Sequence, residues 1–443
     1  VVSGSFTADP DTGNAKVSEV WRNGAWIQLN PLPGGQAFEL YPRLCVRSDG
    51  SAFMSGPLAQ SWRLDLPAGG TWTPMTNRDG ERRDYAPSVP HARDQVLYIG
   101  GGTSRGNFTP TVEVEAIDLA AATPAWQNAK PLTVPRRQHN ATILPDGSVL
   151  VTGGSRGGGG PGAPPGFNDL GFGQPVHAAE RWDPTTQDWA SLAAEQVDRC
   201  YHSTAVLLPD ARVLSAGGGE YRPVNGQDQP ANAPIDSHRD GQIFSPPYLF
   251  RGSRPVITDA PDSVEYGETF DVDTPDPAAV AKVTWIRLPS VTHSMDMSQR
   301  IDVLAHHITA GTLQVTAPAD PKQCPPGHHM LFLLTANGVP SRAAIVRVRA
   351  AAGVDYQIPT ADPNAFIVAD TTPPPIPGAL RVVVGVTGTC PYGIGACWGG
   401  ADEALRRLTG VQAVDPPRDA ASSTVRVHLD HVGLPAVADW PAQ

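Results

Sequence analysis

The side chains of this sequence best suited to metal chemistry are histidines and tyrosines. The chain has 12 His among 443 residues, and Tyr201 and His202 stand together just before an alternating segment. His293 lies far along the chain, in a segment (290–294) that predicts a hairpin tip. Two imidazoles and a phenol suit a tetragonal Cu(II) site. Spacing alone leaves open that all three are ordinary hydrogen-bonded residues, because distant single histidines are a weak indication of a metal.

A recurring turn-and-strand unit must position Tyr201 and His202. Segments 144–154 and 208–218 each begin with Leu-Pro-Asp and continue as an alternating strand that ends in Gly-Gly. Weaker copies occur at 47–56 and 95–101, residues 1–4 look like the tail of another, and four copies follow a tryptophan: Trp26, Trp72, Trp126 and Trp189. Repeats spaced by roughly 45 to 65 residues are typical of four-stranded kelch-type propeller blades. The alternative is a β-sandwich with coincidental hairpins.

The rest of the chain divides into three regions. Short alternating segments with turn signals predict an immunoglobulin-like sandwich of seven strands over residues 254–350. A Pro-rich stretch predicts a linker over 351–378. Residues 379–443 predict a small α+β module, with a helix over 401–408 and strands around 380–386, 411–414 and 424–428. With a partial propeller over 1–253, the expected fold class is all-β with a small C-terminal α+β module.

Composition excludes several classes of protein. The 45 Gly and 46 Pro argue against a helical bundle, while 40% hydrophobic residues argue against disorder. A net charge of −11 makes a nucleic-acid partner unsuitable, and no apolar run approaches the roughly twenty residues that span a membrane. The chain begins mid-pattern without Met, Lys is sparse, and sequons stand at 107–109 and 140–142. We expect a secreted or cell-surface protein.

Four ordered segments carry a longer signature. They are VDRCYHS with LLPDARV (197–203, 207–213), DGQIFSPPYL (240–249), VTHS with QR (291–294, 299–300), and PPGHHMLF with GVPS (325–332, 338–341). In these segments the chain resembles the copper-radical oxidases, the family of galactose oxidase and glyoxal oxidase, over roughly residues 1–350. The resemblance implies a copper enzyme that oxidises a primary alcohol or aldehyde and reduces O2 to H2O2.

The resemblance assigns roles to individual residues. Tyr201 matches the axial tyrosinate that removes the substrate hydroxyl proton, and His202 and His293 match the two equatorial copper ligands. Three looser matches concern the substrate pocket: Phe6 stands where the family has a stacking tryptophan, Arg83 near a substrate-contacting arginine, and His177 where a pocket aromatic stands.

The family's remaining ligand, a tyrosine crosslinked to cysteine that stores a radical, has no match in this chain. Both crosslinked positions would precede Val1, so we expect a companion N-terminal segment of the same protein. Tyr41 with Cys45 is an alternative pair, although Tyr41 better resembles an ordinary blade opening. Without the pair, the alternative function is a kelch-propeller binding protein that recognises carbohydrates or surfaces.

The five cysteines cannot all pair within the chain. Cys390 and Cys397 are the disulfide candidates, in a C-terminal module that faintly resembles a heavy-metal-associated domain. Those domains separate their cysteines by two residues and this chain by six, so a disulfide or a loop without a metal role is favoured over copper handling. Cys45, Cys200 and Cys324 have no evident partners, and Cys200 is expected to be a buried structural thiol.

Overall fold

The computed structural model describes most of the chain up to residue 349 and four strands beyond it. The gaps before residue 350 are 1–16, 23–24, 37, 40, 67–69, 80–81, 103–108, 157–174, 219–222, 225–226, 229–237 and 239. Beyond residue 349 only 367–369, 379–385, 411–415 and 424–430 are described. Phe6, Cys390, Cys397 and the expected helix over 401–408 lie outside the described residues. Contacts divide the chain into two units, 1–356 and 357–443.

Residues 19–244 form a short hairpin followed by four small antiparallel sheets, the blades of a propeller. The hairpin pairs β1 (Glu19–Arg22) with β2 (Ala25–Gln28). Blade A contains β3 (Leu44–Val46), β4 (Ala52–Met54), β5 (Gln60–Asp65) and β6 (Thr71–Asn77). Blade B contains β7 (Ser88–Ala92), β8 (Gln95–Ile99), β9 (Val114–Asp118) and β10 (Trp126–Ala129).

The next two blades follow the same up-and-down order. Blade C contains β11 (Asn140–Ile143), β12 (Val149–Thr152), β13 (Ala178–Trp182) and β14 (Trp189–Ala194). Blade D contains β15 (Ser203–Leu207), β16 (Val213–Gly217) and β19 (Gly241–Phe244), with a small hairpin of β17 (Pro223–Val224) and β18 (Gln227–Asp228) between the last two. The first strands of blades B, C and D are neighbours, because β11 lies against both β7 and β15.

Turn chemistry and paired glycines explain the repeating unit. In blade C, the Asp146 carboxylate accepts hydrogen bonds from the backbone and hydroxyl of Ser148, and Gly147 adopts φ +94°. Gly153 and Gly154 have φ +68° and +95°, and a Cβ on Gly153 would lie 2.2 Å from the Arg199 carbonyl oxygen. Only glycine fits at such a distance. The glycine pair therefore permits the close approach of the Arg199 backbone.

Buried arginines anchor the loops that precede the first strands of the blades. Arg136 donates to the carbonyls of Gly153 and Ala178 and pairs with Glu180 on β13 at 2.7 Å. In blade B, Arg83 pairs with Glu115 on β9, and both side chains are almost completely buried. Removing one member of such a pair leaves an uncompensated buried charge, which costs about 3–5 kcal/mol. These pairs therefore hold the axial loops to the blades.

The second part of the first unit is the expected sandwich. It contains β20 (Ser263–Glu265), β21 (Thr269–Val272), β22 (Lys282–Arg287), β25 (Ile301–Thr309), β26 (Thr312–Thr316), β27 (Gly327–Leu334) and β28 (Ala344–Arg349), hydrogen-bonded in the order β20-β28-β27-β22-β25-β26-β21. A short hairpin of β23 (Val291–Thr292) and β24 (Met295–Asp296) interrupts the sequence. The first half of β25 pairs with β22 and the second half with β26, so the sheet folds over a core. Single-turn 3₁₀ segments cover Pro33–Gly35, Pro247–Phe250 and Pro277–Ala279.

The strand β27 is buried on both faces, which explains its continuous apolar run. Leu331 and Leu333 point into the sandwich core, whereas Met330 and Phe332 join the core of blades B, C and D. Alternate side chains of a strand point to opposite faces. Thr284 Oγ1 also donates to the Pro145 carbonyl of blade C at 2.9 Å. One face of β27 therefore belongs to an apolar core shared with blades B, C and D, and its other face belongs to the core of the sandwich.

The second unit contains one four-stranded antiparallel sheet. Its strands are β29 (Ile367–Ala369), β30 (Ala379–Gly385), β31 (Val411–Asp415) and β32 (Thr424–Asp430), in the order β29-β30-β32-β31. The strand β29 falls within the stretch 351–378 expected to be linker, where it pairs with β30. The all-β propeller-and-sandwich fold class is confirmed for the described residues.

Candidate metal centre

The four blades begin with equivalent residues in the left-handed backbone conformation. These are Tyr41 (φ 53°), Tyr85 (φ 46°), Gln138 (φ 60°) and His202 (φ 64°). Three of them stand eight residues before the turn aspartates Asp49, Asp146 and Asp210. A non-glycine residue in this region is strained by about 1–2 kcal/mol, and such strain concentrates at functional sites. The repeat therefore brings a ring of polar and aromatic residues to one end of the blades.

The hairpin β23–β24 brings His293 from the sandwich to the same place. Val291 pairs with Asp296 and Thr292 with Met295, which leaves His293 and Ser294 as a two-residue turn with φ 48° and 66°. Positive φ at both central residues is the type I′ geometry of tight hairpins. The hairpin packs against the first strands of blades C and D. The hairpin tip over residues 290–294 therefore reaches the propeller.

Hydrogen bonds hold the base of this hairpin to blade C. The Gln299 amide donates to the Ala141 carbonyl and accepts from the Ile143 backbone N–H, both at 3.0 Å. The Asp296 carboxylate accepts from the backbone N–H groups of Ser290, Ser298 and Gln299. These bonds fix where the hairpin tip lies relative to the blades.

The two histidines meet through their Nε2 atoms, which lie 2.9 Å apart. The rings are perpendicular, with centroids 4.6 Å apart. The Nδ1 of His293 contacts Thr292 Oγ1 at 2.6 Å, so a proton on Nδ1 leaves Nε2 free to bind a metal. With metal–nitrogen bonds of about 2.0–2.1 Å, two ligands at a right angle have nitrogens about 2.9 Å apart. The pair therefore has the separation of adjacent ligands on one metal ion.

Both imidazoles are held neutral. Burial, with smaller contributions from His202 and the Arg43 guanidinium, lowers the pKa of His293 to about 3. His202 has an exposed edge, but the rings packed on it desolvate the imidazole and lower its pKa. Neutral imidazole is the form that binds metals.

Tyr201 completes a three-residue group that we name the axial cluster: Tyr201, His202 and His293. The Tyr201 ring stacks on His202 with centroids 3.7 Å apart and meets His293 edge-on at 5.7 Å. Among the described residues, no group of three or more His, Cys, Asp or Glu side chains could hold a metal ion. A metal at the axial cluster would therefore meet two imidazole nitrogens beside the Tyr201 phenol, and a nitrogen–nitrogen–oxygen set suits Cu(II).

Two further tyrosines surround the axial cluster. Tyr41 stacks on His293 with centroids 3.8 Å apart and ring planes 14° apart. Tyr85 meets Tyr201 edge-on at 5.8 Å, and the two side chains are hydrogen-bonded. Burial raises the pKa of Tyr85 to about 12. Tyr41 was predicted only as a crosslink alternative and Tyr85 was not predicted, although their equivalent positions in the repeat were a usable signal.

The remaining candidates from the sequence lie as follows. Arg83 is 1% exposed, and its guanidinium is engaged by Glu115 and the Glu113 carbonyl, so it is part of the core of blade B. The substrate contact expected of it stays a prediction that this placement does not favour. His177 is half-exposed and contacts Asp198 at 2.6 Å through Nε2. Its role in a pocket also stays a prediction.

Among the described residues, Cys45, Cys200 and Cys324 form no disulfide with one another. Cys200 is buried, and its Sγ donates to the Gly154 carbonyl at 3.3 Å. Cys45 lines a cavity of about 630 Å³ between blade A and the sandwich. Tyr41 and Thr292, which contact His293, line the same cavity, so it adjoins the axial cluster.

Comparison with known proteins places this geometry in context. Residues 254–348 match the family described as "Galactose oxidase-like, Early set domain". Galactose oxidase of Gibberella zeae is 27% identical over 383 residues, covering 78% of this chain and 52% of that protein. The aldehyde oxidase GLOX of Vitis pseudoreticulata is 32% identical over 364 residues, covering 74% of this chain and 66% of that protein.

A solved structure is also similar to this chain. A fungal alcohol oxidase of the AA5 family, in complex with copper, matches with a TM-score of 0.64 and 25% identity, covering 76% of this chain and 71% of that one. The chain spans about half the length of the galactose oxidase that it matches.

Proposed function

The chain belongs to the copper-radical oxidase family, and we propose that its axial cluster binds copper and oxidises a primary alcohol or aldehyde with reduction of O2 to H2O2. The observation that carries the proposal is the meeting of His202 and His293, from two domains, with their Nε2 atoms 2.9 Å apart beside the Tyr201 phenol. Both histidines adopt left-handed backbone conformations at this meeting point, and such strain concentrates at functional sites.

Copper, when bound, would supply the one-electron redox chemistry. His202 and His293 would hold it through Nε2, and Tyr201 through its phenol oxygen. Tyr201 is also the proposed base: its oxygen takes the hydroxyl proton of the bound alcohol, so that the substrate becomes easier to oxidise. The overall reaction is balanced, because R–CH2OH and O2 give R–CHO and H2O2. An aldehyde substrate would react as its hydrate and give the acid.

The way in which His293 and Tyr201 are held supports the roles of ligand and base proposed for them. His293 is fixed by Thr292 at Nδ1 and by the Tyr41 ring on its face. The Tyr201 ring stacks on His202, and its hydroxyl is hydrogen-bonded to Tyr85. Groups held in place by their neighbours lose little free energy on reorganisation during the reaction. The crosslinked tyrosine–cysteine pair, the upstream segment that would carry it and secretion of the protein stay predictions. None of the helices among the described residues is long and apolar enough to cross a membrane.

The test combines metal analysis with a peroxide-coupled assay on galactose, glyoxal and small alcohols. Wild-type protein should bind one Cu(II) per chain and release H2O2 with at least one of these substrates. Tyr201→Phe should keep part of the copper affinity and lose peroxide formation, whereas His202→Ala should lose both. His307→Ala is the matched control, since His307 is exposed on β25.

Two results would decide against this function. Equal copper binding by wild type, Tyr201→Phe and His202→Ala would show that the axial cluster is not the metal site. Copper binding at the cluster with no peroxide from any substrate, in protein whose mass shows the crosslink, would favour the alternative of a propeller that only binds its ligand.

A further inference from the structure

The side chain of Tyr85 lies between the axial cluster and the interior of blade B. Its hydroxyl is hydrogen-bonded to Tyr201, and the rings meet edge-on at 74° with centroids 5.8 Å apart. Tyr201 and Tyr85 are 116 residues apart in the chain. Their contact therefore exists only because the starts of blades B and D converge.

Backbone hydrogen bonds fix the chain at Asp84 and at the Tyr85 carbonyl. Asp84 exchanges backbone hydrogen bonds with Gly102 at 3.0 Å, and the Tyr85 carbonyl accepts from the Gln138 N–H at 3.0 Å. Between these anchors Tyr85 itself adopts φ 46°. A glycine would take this conformation without strain, so the strain at Tyr85 points to a role for its side chain.

The ring of Tyr85 is fixed as well. The Arg137 guanidinium lies 5.6 Å from the Tyr85 ring centroid, within cation–π range. Arg137 is completely buried and pairs with Asp84 at 3.0 Å. The phenol is thus held by a buried ion pair on one side while its hydroxyl meets Tyr201 on the other.

We propose that Tyr85 is a positioning residue, whose hydroxyl is hydrogen-bonded to the Tyr201 hydroxyl and so aims the Tyr201 oxygen at the Nε2 atoms of His202 and His293. Stacking on His202 fixes the plane of the Tyr201 ring but leaves it free to slide within that plane. A hydrogen bond at the oxygen removes this freedom. Outer partners of this kind contribute about 10–100-fold to metal affinity. The inference rests on the proposed function, because it concerns the same phenol.

The first experiment uses no metal. In protein labelled with ¹³C at tyrosine Cζ, the Tyr201 resonance is assigned by its disappearance in Tyr201→Phe. Tyr85→Phe keeps the ring beside Arg137 and removes only the hydroxyl, so we expect the Tyr201 resonance to shift. Tyr266→Phe is the matched control, because it deletes a phenol that donates to the Cys324 carbonyl in the sandwich. An unshifted Tyr201 resonance in folded Tyr85→Phe would overturn the inference.

The second experiment titrates the same variants with copper(II) sulfate, followed by calorimetry and by the phenolate-to-Cu(II) absorption band. Tyr85→Phe should bind copper about 10-fold more weakly, with a displaced band, while Tyr266→Phe should match wild type. An unchanged affinity and band in Tyr85→Phe would show that Tyr85 does not position Tyr201. If wild type binds no copper, the proposed function fails, and the Tyr201 resonance still decides whether Tyr85 holds that phenol.

Discussion

Two histidine clusters in this protein have similar electrostatics and different architecture. The axial cluster meets solvent at His202, whereas a second group in the sandwich, which we name the sandwich cluster, comprises Trp285, Asp302, Cys324 and His329. There His329 stacks on Trp285 at 4.7 Å and contacts Cys324 Sγ at 3.4 Å. Burial lowers the pKa of His329 to about 4, as it lowers the pKa of His293 to about 3.

The backbone distinguishes the two clusters. Trp285, Asp302 and His329 lie within the regular strands β22, β25 and β27, and neither His329 nor Cys324 is more than 1% exposed. His202 and His293 occupy left-handed turns. A shifted pKa therefore does not by itself separate a functional histidine from a core histidine. Backbone strain together with solvent access distinguishes the functional histidines from the core histidine.

The comparison predicts the largest loss of Cu(II) affinity for His293→Gly. Removing the imidazole should lower Cu(II) affinity at least about 100-fold, because a ligand contributes more than its supporting partners. Glycine adopts φ 48° without strain, so the free energy of unfolding should stay within about 1 kcal/mol of wild type. Copper titration and urea unfolding measure the two quantities. A loss of several kcal/mol in stability would mean that His293 belongs to the core as His329 does.

The opposite pattern is expected for His329→Ala. It removes a ring stacked on Trp285 and leaves the Gly327 carbonyl and the Cys324 thiol without their imidazole partner. The expected loss of stability is about 3 kcal/mol, with Cu(II) affinity unchanged. Urea unfolding of His329→Ala beside His307→Ala checks the first part. Weakened copper binding in folded His329→Ala would contradict the distinction between the clusters.

The smallest change in stability is expected for Asp302→Asn. Burial, partly offset by Arg300, raises the pKa of Asp302 to about 6, above its usual value of 3.8. The folded state therefore binds an extra proton between about pH 4 and 6, and the charged carboxylate destabilises it above pH 6. Asp302→Asn, which can still accept from Trp285 Nε1, should stabilise the protein by about 1 kcal/mol at pH 7.5 and by nothing near pH 4. Urea unfolding at the two pH values measures this, and an equal change at both would show that charge is not the cause.

Much of the fold could be predicted from local patterns. The Asp-Gly turns, the alternating strands and the glycine pairs are properties of short segments, and they identify the blades correctly. The resemblance of ordered segments then named Tyr201, His202 and His293. The environment of Arg83 could not be predicted in this way, because its carboxylate partner Glu115 lies 32 residues away on β9. Nothing local indicates that the guanidinium is already paired.

The amino-acid sequence by itself determined the repeating unit, the order of the two folds and the residue types that could bind copper. Tertiary structure decided which of these residues meet. Tyr85 reaches Tyr201 and Tyr41 reaches His293 because left-handed residues at successive blade starts converge, and His293 arrives on a hairpin locked to β11 by Gln299. Local patterns encode turns and strands, whereas contacts between residues 116 or 252 positions apart depend on how blades and sandwich pack.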